Sequence, residues 1–134
     1  MIGAAEREIG LRRVKLSILM PVYNEAATLR TAVKEVLEVD YPCEIELVIV
    51  DDGSDPDTLV LYPEFEADPR VSVHLHTVNQ GKGAAIRTAA RVATGDYVIP
   101  CDADLEYSQY CRKQIATTSY ADSNEHPRTD ATRR

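Results

Sequence analysis

The chain has 134 residues, of which 44% are hydrophobic, and a formal net charge of −7. This length suffices for one domain with a buried core, and the acidic balance argues against general nucleic-acid binding, which needs a basic surface. The three cysteines lack a C-x-x-C spacing, the N-terminus does not resemble a signal peptide, and no apolar run reaches the ~20 residues of a membrane span. We therefore expect a cytoplasmic protein with reduced thiols, and attachment to a membrane surface stays open.

The first predicted elements are a strand, a helix and a second strand. Residues 14–22 form a short apolar run that Pro21 closes, which is typical of a strand. Residues 24–40 carry apolar side chains at helical spacing, and Asn24 is a plausible N-cap. Residues 44–54 begin as a buried type of strand and continue into acids and a turn.

The next predicted elements are a weaker helix and a third strand. Residues 55–67 have helical character that Pro63 interrupts. Residues 71–78 alternate between apolar and polar side chains and are rich in β-branched residues, which predicts a strand.

A third helix and a fourth strand complete the predicted order βαβαβαβ. Residues 79–95 open with glycines, become rich in alanine and end at Gly95, a predicted C-cap. Residues 96–101 form the fourth strand. Because the strands are almost continuously apolar, the pattern predicts an α/β fold with a mostly parallel sheet and helices on both faces.

A polar cluster follows each predicted strand. The four clusters read "YNE", "DDGS", "NQGKG" and "DAD". Right-handed crossovers bring the carboxyl ends of such strands to one edge of the sheet, where ligands bind in folds of this class. The sequence therefore predicts one site built from all four clusters.

The last cluster contains two carboxylates one residue apart, Asp102 and Asp104. Two neighbouring carboxylates repel each other, and a divalent ion would relieve the repulsion. Oxygen ligands suit Mg²⁺ or Mn²⁺, which bind through one or two carboxylates together with substrate phosphates. We favour a metal-bridged diphosphate here; the alternative is a surface turn with solvated acids.

The second cluster contains Asp51 and Asp52. We favour Asp52 as the functional acid, accepting hydrogen bonds from a base or a ribose. Helix capping is the alternative explanation, although Ser54 or Asp55 could provide the cap without it.

The first and third clusters add an aromatic ring, a third acid and a cation. Tyr23 offers a ring face, and either base contact or the helix dipole explains Glu25. Gly81 and Gly83 place backbone amides at the start of a helix, beside the positive Lys82, and this combination suits an anion.

Four further residues receive ordinary structural interpretations. Arg87 could reach the anion, but a solvated helix charge is favoured. His74 and His76 share a strand face, and plain strand histidines are favoured over a metal pair. Cys101 is expected to be a small buried hydrophobic residue.

Four motifs together carry a family resemblance: "SILMPVYNE", "ELVIVDDGSDPDT", "NQGKGAAIRTA" and "GDYVIPCDADLEY". Over residues 14–107 they resemble glycosyltransferase family 2 enzymes of GT-A fold, particularly the polyprenol-phosphate mannosyl and glucosyl transferases. The residues that the resemblance assigns to the nucleoside are Pro21, Tyr23, Glu25 and Asp52. It assigns Asp102 and Asp104 to the metal and the diphosphate, so these two are the catalytic candidates, and Lys82 completes the nucleotide-sugar-binding set.

The implied reaction transfers a sugar from a nucleoside diphosphate, such as GDP-mannose or UDP-glucose, to a polyprenyl phosphate. It would proceed with inversion and with Mg²⁺ or Mn²⁺. Two alternatives stay open: a truncated module that binds nucleotide-sugar and metal without transfer, and a receiver-like domain that accepts a phosphoryl group.

The expected organisation is a donor-binding half-domain between two other segments. Residues 1–13 form an N-terminal extension, 14–107 the half-domain, and 108–134 a polar tail that is expected to be disordered or non-native. Family members continue beyond the D-x-D motif with an acceptor half and, often, helices that associate with membranes. We therefore expect the C-terminal part to be missing, with an exposed edge on the fourth strand, low stability or self-association, and peripheral membrane contact.

Overall fold

A computed structural model describes residues 14–104 and the backbone of 132–133. The strands are β1 (Lys15–Val22), β2 (Glu44–Asp51), β3 (Val71–Leu75), β4 (Tyr97–Pro100) and β5 (Thr132–Arg133). They form one sheet in the order β3-β2-β1-β4-β5, with β1 to β4 parallel and β5 antiparallel to β4. The predicted α/β fold with a mostly parallel sheet is confirmed.

Strand β1 is the centre of the sheet and aligns the strand ends that build the site. It pairs with β2 from Lys15 opposite Glu44 to Val22 opposite Asp51. On its other side, β1 pairs with β4. The carboxyl ends of β1, β2 and β4 therefore reach the same edge, as the crossover rule predicts.

Helices cover both faces of the sheet. They are α1 (Ala26–Leu37), α2 (Pro56–Leu59), α3 (Tyr62–Glu66) and α4 (Lys82–Val92). The side chains of β1 point alternately to the two faces of the sheet, and a separate hydrophobic core lies on each face. The first core contains buried residues of α1 and α3, and the second contains alanines of α4. The alanines are small enough to let α4 pack closely on its face of the sheet. Cys101 is buried in the first core, as expected.

Three predicted helix boundaries are wrong. Helix α1 begins at Ala26 with Glu25 as its N-cap residue, so Asn24 is not the cap. Helix α4 ends with Ala93 as its C-cap residue, so Gly95 does not cap it. The break in the second helical segment comes before Tyr62, because a proline is tolerated in the first turn of a helix.

Asn24 instead connects two loops at the carboxyl edge. Its backbone has a φ of 52°, in the left-handed region, which asparagine tolerates better than most residues. Its backbone N–H donates to Ser54 Oγ at 2.8 Å, and its side-chain oxygen accepts from the Asp55 N–H at 2.7 Å. The side-chain oxygen that would cap α1 is therefore already used in a contact with the loop after β2.

The edge of β4 is paired within the chain, contrary to the exposed edge expected from the sequence. Tyr97 and Val98 pair with Arg133 and Thr132 of β5. Self-association through this edge stays a prediction, as does the assignment of the three segments. The expectations for 1–13, 105–131 and residue 134 lie outside the described residues. Within the described part of the chain, no helix is long and apolar enough to cross a membrane.

Candidate functional site

A cleft of about 400 Å³ opens at the carboxyl edge of the sheet. The residues lining it are Pro21, Val22, Tyr23, Glu25, Asp52, Asn79, Gly81, Lys82, Ala85, Asp102, Ala103 and Asp104. The structure thus brings every candidate for nucleotide-sugar and metal binding into one cleft. Tyr23 is half exposed there, which leaves its ring accessible to a ligand.

The D-x-D segment is fixed through its middle residue. Ala103 is buried in the first core, and its carbonyl accepts a hydrogen bond from Thr28 Oγ1 at 3.1 Å. The Cys101 N–H donates to the Leu19 carbonyl at 2.8 Å, which ties the preceding residue to β1. Asp102 and Asp104 flank this anchored alanine and both line the cleft.

Lys82 is the cation that meets this segment. Its Nζ lies 2.6 Å from Asp102 Oδ1, and the lysine side chain is 64% exposed. The hydrogen bond to Asp102 raises the pKa of Lys82, and the charges of Asp102, Asp104 and Glu25 add to that effect. Lys82 is therefore charged and sits within a group of acids.

The acids of the cleft outweigh this cation. Burial, followed by the charges of Asp104 and Asp102, raises the pKa of Glu25, and Lys82 offsets only part of that rise. Among residues 14–104, no group of three or more His, Cys, Asp or Glu side chains is arranged to hold a metal ion. A divalent ion bound by Asp102 and Asp104 would therefore need further oxygens from a ligand or water.

Asp52, the residue that follows β2, is almost completely buried, with an exposure of 2%. Each carboxylate oxygen accepts two hydrogen bonds, and the donors are His76 Nδ1, the Gln80 N–H, Asn79 Nδ2 and the Gly81 N–H. A carboxylate has about four acceptor positions, so a nucleoside contact would have to replace one of these donors. The nucleoside role of Asp52 stays a prediction, and its geometry adds a loop-holding role.

The backbone amides at the start of α4 bind this internal carboxylate. The sequence suggested that amides of the glycine-rich loop would face a ligand anion. Instead, the N–H groups of Gln80 and Gly81 donate to Asp52 at 2.8 Å. Gly81 has a φ of 101° and is the N-cap residue of α4. The loop conformation therefore depends on a glycine here and on the buried acid that follows β2.

The two histidines differ in role. His74 lies in β3, with its Nε2 3.3 Å from Ser72 Oγ. His76 follows the strand and contacts Asp52 through Nδ1 and Thr88 Oγ1 through Nε2, each at 2.8 Å. They do not form a metal pair, and His76 is not the plain strand histidine that the sequence favoured.

The other acid of the second cluster, Asp51, is structural. Its Oδ1 accepts from the N–H groups of Gly53 and Ser54, and its Oδ2 accepts from the Tyr62 hydroxyl. Burial and this hydrogen bond raise the pKa of Tyr62 well above its usual range. Asp52 is among the described residues that line the cleft and Asp51 is not, while the functional role of Asp52 stays a prediction.

Four residues that contact Asp51, Asp52 or their partners were not among the predicted site residues: Asn79, His76, Thr88 and Tyr62. Asn79 had a signal, since it opens the cluster "NQGKG". Tyr62 contacts Asp51 from 11 positions away, His76 contacts Asp52 from 24 positions away, and Thr88 contacts His76. Arg87 lies exposed on α4 and is outside the set of described residues that line the cleft.

A second cleft, of about 490 Å³, lies at the amino ends of β1, β2 and β3. Its lining includes Lys15, Tyr41, Cys43 and Arg70. It is larger than the carboxyl-edge cleft, but it contains none of the predicted site residues. Because ligands of parallel α/β sheets bind at the carboxyl ends of strands, we assign function to the other cleft.

We expect Asp52 to make the stability of the protein depend on acid pH. Burial by itself raises its pKa, but the hydrogen bonds from His76, Gln80 and Gly81 outweigh burial and lower it below 3.8. A carboxyl group whose pKa is lower in the folded state than in the unfolded state stabilises the fold at any pH above the unfolded-state value. This contribution is lost as the pH falls through the folded-state value. Urea unfolding between pH 7 and pH 3 measures it.

The reference for this pH series is Asp52→Asn, which keeps the shape and removes the charge. At pH 7 the variant should be less stable by about 1–3 kcal/mol. Its stability should also fall less than that of the wild-type protein below about pH 4. Equal losses in both proteins would show that Asp52 does not carry the lowered pKa.

Comparison with known proteins places the chain in a family. The sequence model described as "Glycosyl transferase family 2" matches residues 17–123. A poly-beta-1,6-N-acetyl-D-glucosamine synthase of Staphylococcus epidermidis is 34% identical over 89 residues, which are 66% of this chain and 21% of that protein. A bactoprenol glucosyl transferase of Shigella phage SfX is 35% identical over 96 residues, which are 69% of this chain and 32% of that protein.

A solved structure agrees with these matches. A mannosyltransferase from Pyrobaculum calidifontis, in complex with GDP-Man and Mn²⁺, superposes with a TM-score of 0.63 at 26% identity. The match covers 85% of this chain and 39% of that one. The chain thus spans between a fifth and two fifths of the length of these proteins. The parallel sheet, the carboxyl-edge cleft and the family match lead to one conclusion: this chain belongs to glycosyl transferase family 2.

Proposed function

We propose that this chain is the donor-binding part of a glycosyltransferase that moves a sugar from a nucleoside diphosphate to a polyprenyl phosphate. The observation that carries the proposal is the meeting of Asp102, Asp104, Lys82 and Tyr23 in one cleft. The similarity to a bactoprenol glucosyl transferase supports a polyprenyl phosphate acceptor. The similarity to a mannosyltransferase solved with GDP-Man supports a nucleotide-sugar donor. GDP-mannose and UDP-glucose are the two donors to test first.

The oxygen atoms that the cleft offers as metal ligands suit Mg²⁺ or Mn²⁺. Asp102 and Asp104 offer carboxylate oxygens, which these ions prefer, and a diphosphate would complete the coordination. Burial raises the pKa of Glu25, and the charges of Asp104 and Asp102 raise it further than Lys82 lowers it. This excess of acid over base favours a cation in the cleft. The ion supplies charge stabilisation for a leaving diphosphate. The similar mannosyltransferase was solved with Mn²⁺.

The protein's own side chains would bind and orient the donor. The exposed ring of Tyr23 can stack on a base, with Pro21, Glu25 and Asp52 around the nucleoside. Lys82 is exposed enough to reach a diphosphate from its position on Asp102. A phosphate acceptor is already anionic at neutral pH, so transfer with inversion needs no strong general base. This acceptor would bring the protein to the surface of a membrane, and we propose its cytoplasmic face.

A binding module without transferase activity is the second candidate. The observation that favours it is that the candidates gathered in the cleft are those assigned to the nucleotide-sugar and the metal. Such a module would bind the donor and the metal and form no product. Family membership removes the support for the receiver-like alternative.

The test combines calorimetry with a transfer assay. Calorimetry measures binding of GDP-mannose and of UDP-glucose, each with Mn²⁺ and with EDTA in its place. The assay incubates the protein with Mn²⁺, radiolabelled donor and a polyprenyl phosphate, and then counts label in the lipid fraction. We expect metal-dependent binding of one donor and labelled lipid. Binding without labelled lipid would support the module, and failure to bind either donor would overturn both proposals.

A further inference from the structure

A chain of hydrogen bonds joins Asp52, the residue that follows β2, to α4 through His76. The Nδ1 of His76 lies 2.8 Å from Asp52 Oδ1, and the Nε2 lies 2.8 Å from Thr88 Oγ1 on α4. The side chains of His76 and Asp52 are 9% and 3% exposed. Because buried polar groups lose solvation unless they are paired, this arrangement is strongly specified.

Because His76 orients the Asp52 carboxylate, the contacts of Asp52 also fix the position of the start of α4. Its carboxylate accepts the N–H groups of Gln80 and Gly81. The next residue, Lys82, begins α4 and contacts Asp102 at 2.6 Å. A shift of the Asp52 carboxylate would therefore displace the helix start that presents Lys82 to the D-x-D segment.

We propose that His76 is a positioning residue of the donor site and acts through Asp52. His76 is outside the set of described residues that line the cleft, so it does not act by touching the donor. With its proton on Nδ1, His76 donates to Asp52 and accepts from the Thr88 hydroxyl; when doubly protonated, it donates to both. Either form fixes the orientation of the carboxylate. This inference rests on the proposed function, because it concerns the same cleft.

Three substitutions at one position separate the two contacts of the ring. His76→Ala removes both. His76→Asn places an amide N–H near the position of Nδ1 and should keep the donor to Asp52. His76→Gln reaches further and should keep mainly the contact with Thr88. The control is His74→Ala, which removes the same type of residue from β3 two positions earlier.

The first readout is the Kd of GDP-mannose and of UDP-glucose with Mn²⁺, measured beside the melting temperature. We expect His76→Ala to raise the Kd of the bound donor by roughly tenfold, the scale of one lost hydrogen bond to a charged group. His76→Asn should recover most of the affinity, His76→Gln little, and His74→Ala should match the wild-type protein. Unchanged affinity in His76→Ala, or equal affinity in the Asn and Gln variants, would overturn the proposal.

The second readout needs no ligand. Amide hydrogen exchange, followed by NMR, reports on the Gln80 and Gly81 N–H groups that Asp52 accepts. We expect faster exchange in His76→Ala and near wild-type exchange in His76→Asn. If the wild-type protein binds neither donor, the proposed function fails while this readout still judges His76. Unchanged exchange in His76→Ala would overturn the positioning role.

Discussion

Replacing Asp104 with asparagine is expected to weaken metal-dependent donor binding by roughly 100-fold, or about 2.7 kcal/mol. Asparagine keeps the shape of the side chain and removes the negative charge that a divalent ion requires. Because Ala103 anchors the segment in the core and through Thr28, the backbone should stay in place. Calorimetric titration with the bound donor, in Mn²⁺ and in EDTA, measures the change.

Asp40→Asn is the matched control. Asp40 is an exposed aspartate in the cleft at the amino ends of the strands, away from the D-x-D segment. The substitution makes the same change in net charge, so it should leave the Kd within about twofold of the wild-type value. If the two variants bind the donor equally well in Mn²⁺, Asp104 is not part of a metal site.

Gly95→Ala is expected to destabilise the protein by about 3 kcal/mol or more. Gly95 is buried where the chain enters β4 beside β1, and a Cβ there would lie 2.5 Å from Ser17 Oγ and 2.8 Å from the Lys15 carbonyl oxygen. The Gly95 N–H also donates to Ser17 Oγ at 2.8 Å. The added methyl group would collide with the backbone of β1 and with the buried Ser17 hydroxyl, and neither of these can move away easily. Urea unfolding at pH 7 measures the loss.

Gly83→Ala provides the comparison within the same protein. Among the residues that the structure describes, a Cβ on Gly83 would meet the Arg87 guanidinium alone, at 3.4 Å, and that side chain is exposed. Alanine favours a helix over glycine by about 0.5–1 kcal/mol, so this variant should be neutral or slightly more stable. A comparable loss of stability in both variants would contradict the close-approach explanation for Gly95.

The fold class was predictable because the chain carries strong local signals. The apolar side chains of β1 are buried on both faces, and such a strand reads as a continuous apolar run. Breakers separate it from a helix with clear periodicity. Right-handed crossovers then follow a general rule for parallel sheets and bring the strand ends to one edge, whereas the strand order was not predicted. The boundaries at Asn24 and Gly95 were wrong because both residues are used in contacts between distant segments.

The cleft was predictable for a related reason. Tyr23, Asp52 and Asp102 lie one or two residues beyond the ends of their strands, so placing those ends at one edge also places these three residues together. The sequence could not indicate that Lys82 meets Asp102, because that contact depends on how α4 crosses the sheet. The paired edge of β4 was also missed, since two short segments far apart in the chain form it.

The sequence by itself determined the α/β alternation, the edge at which the polar clusters collect and the acidic character of the D-x-D segment. These properties depend on side-chain periodicity and on residues next to each other in the chain. Only the tertiary structure decided that the Asp52 carboxylate is used by the loop before α4, and that His76 orients it against Thr88. Those contacts join the residue after β2, the residue after β3 and α4, and their geometry exists only once the helix has packed on the sheet.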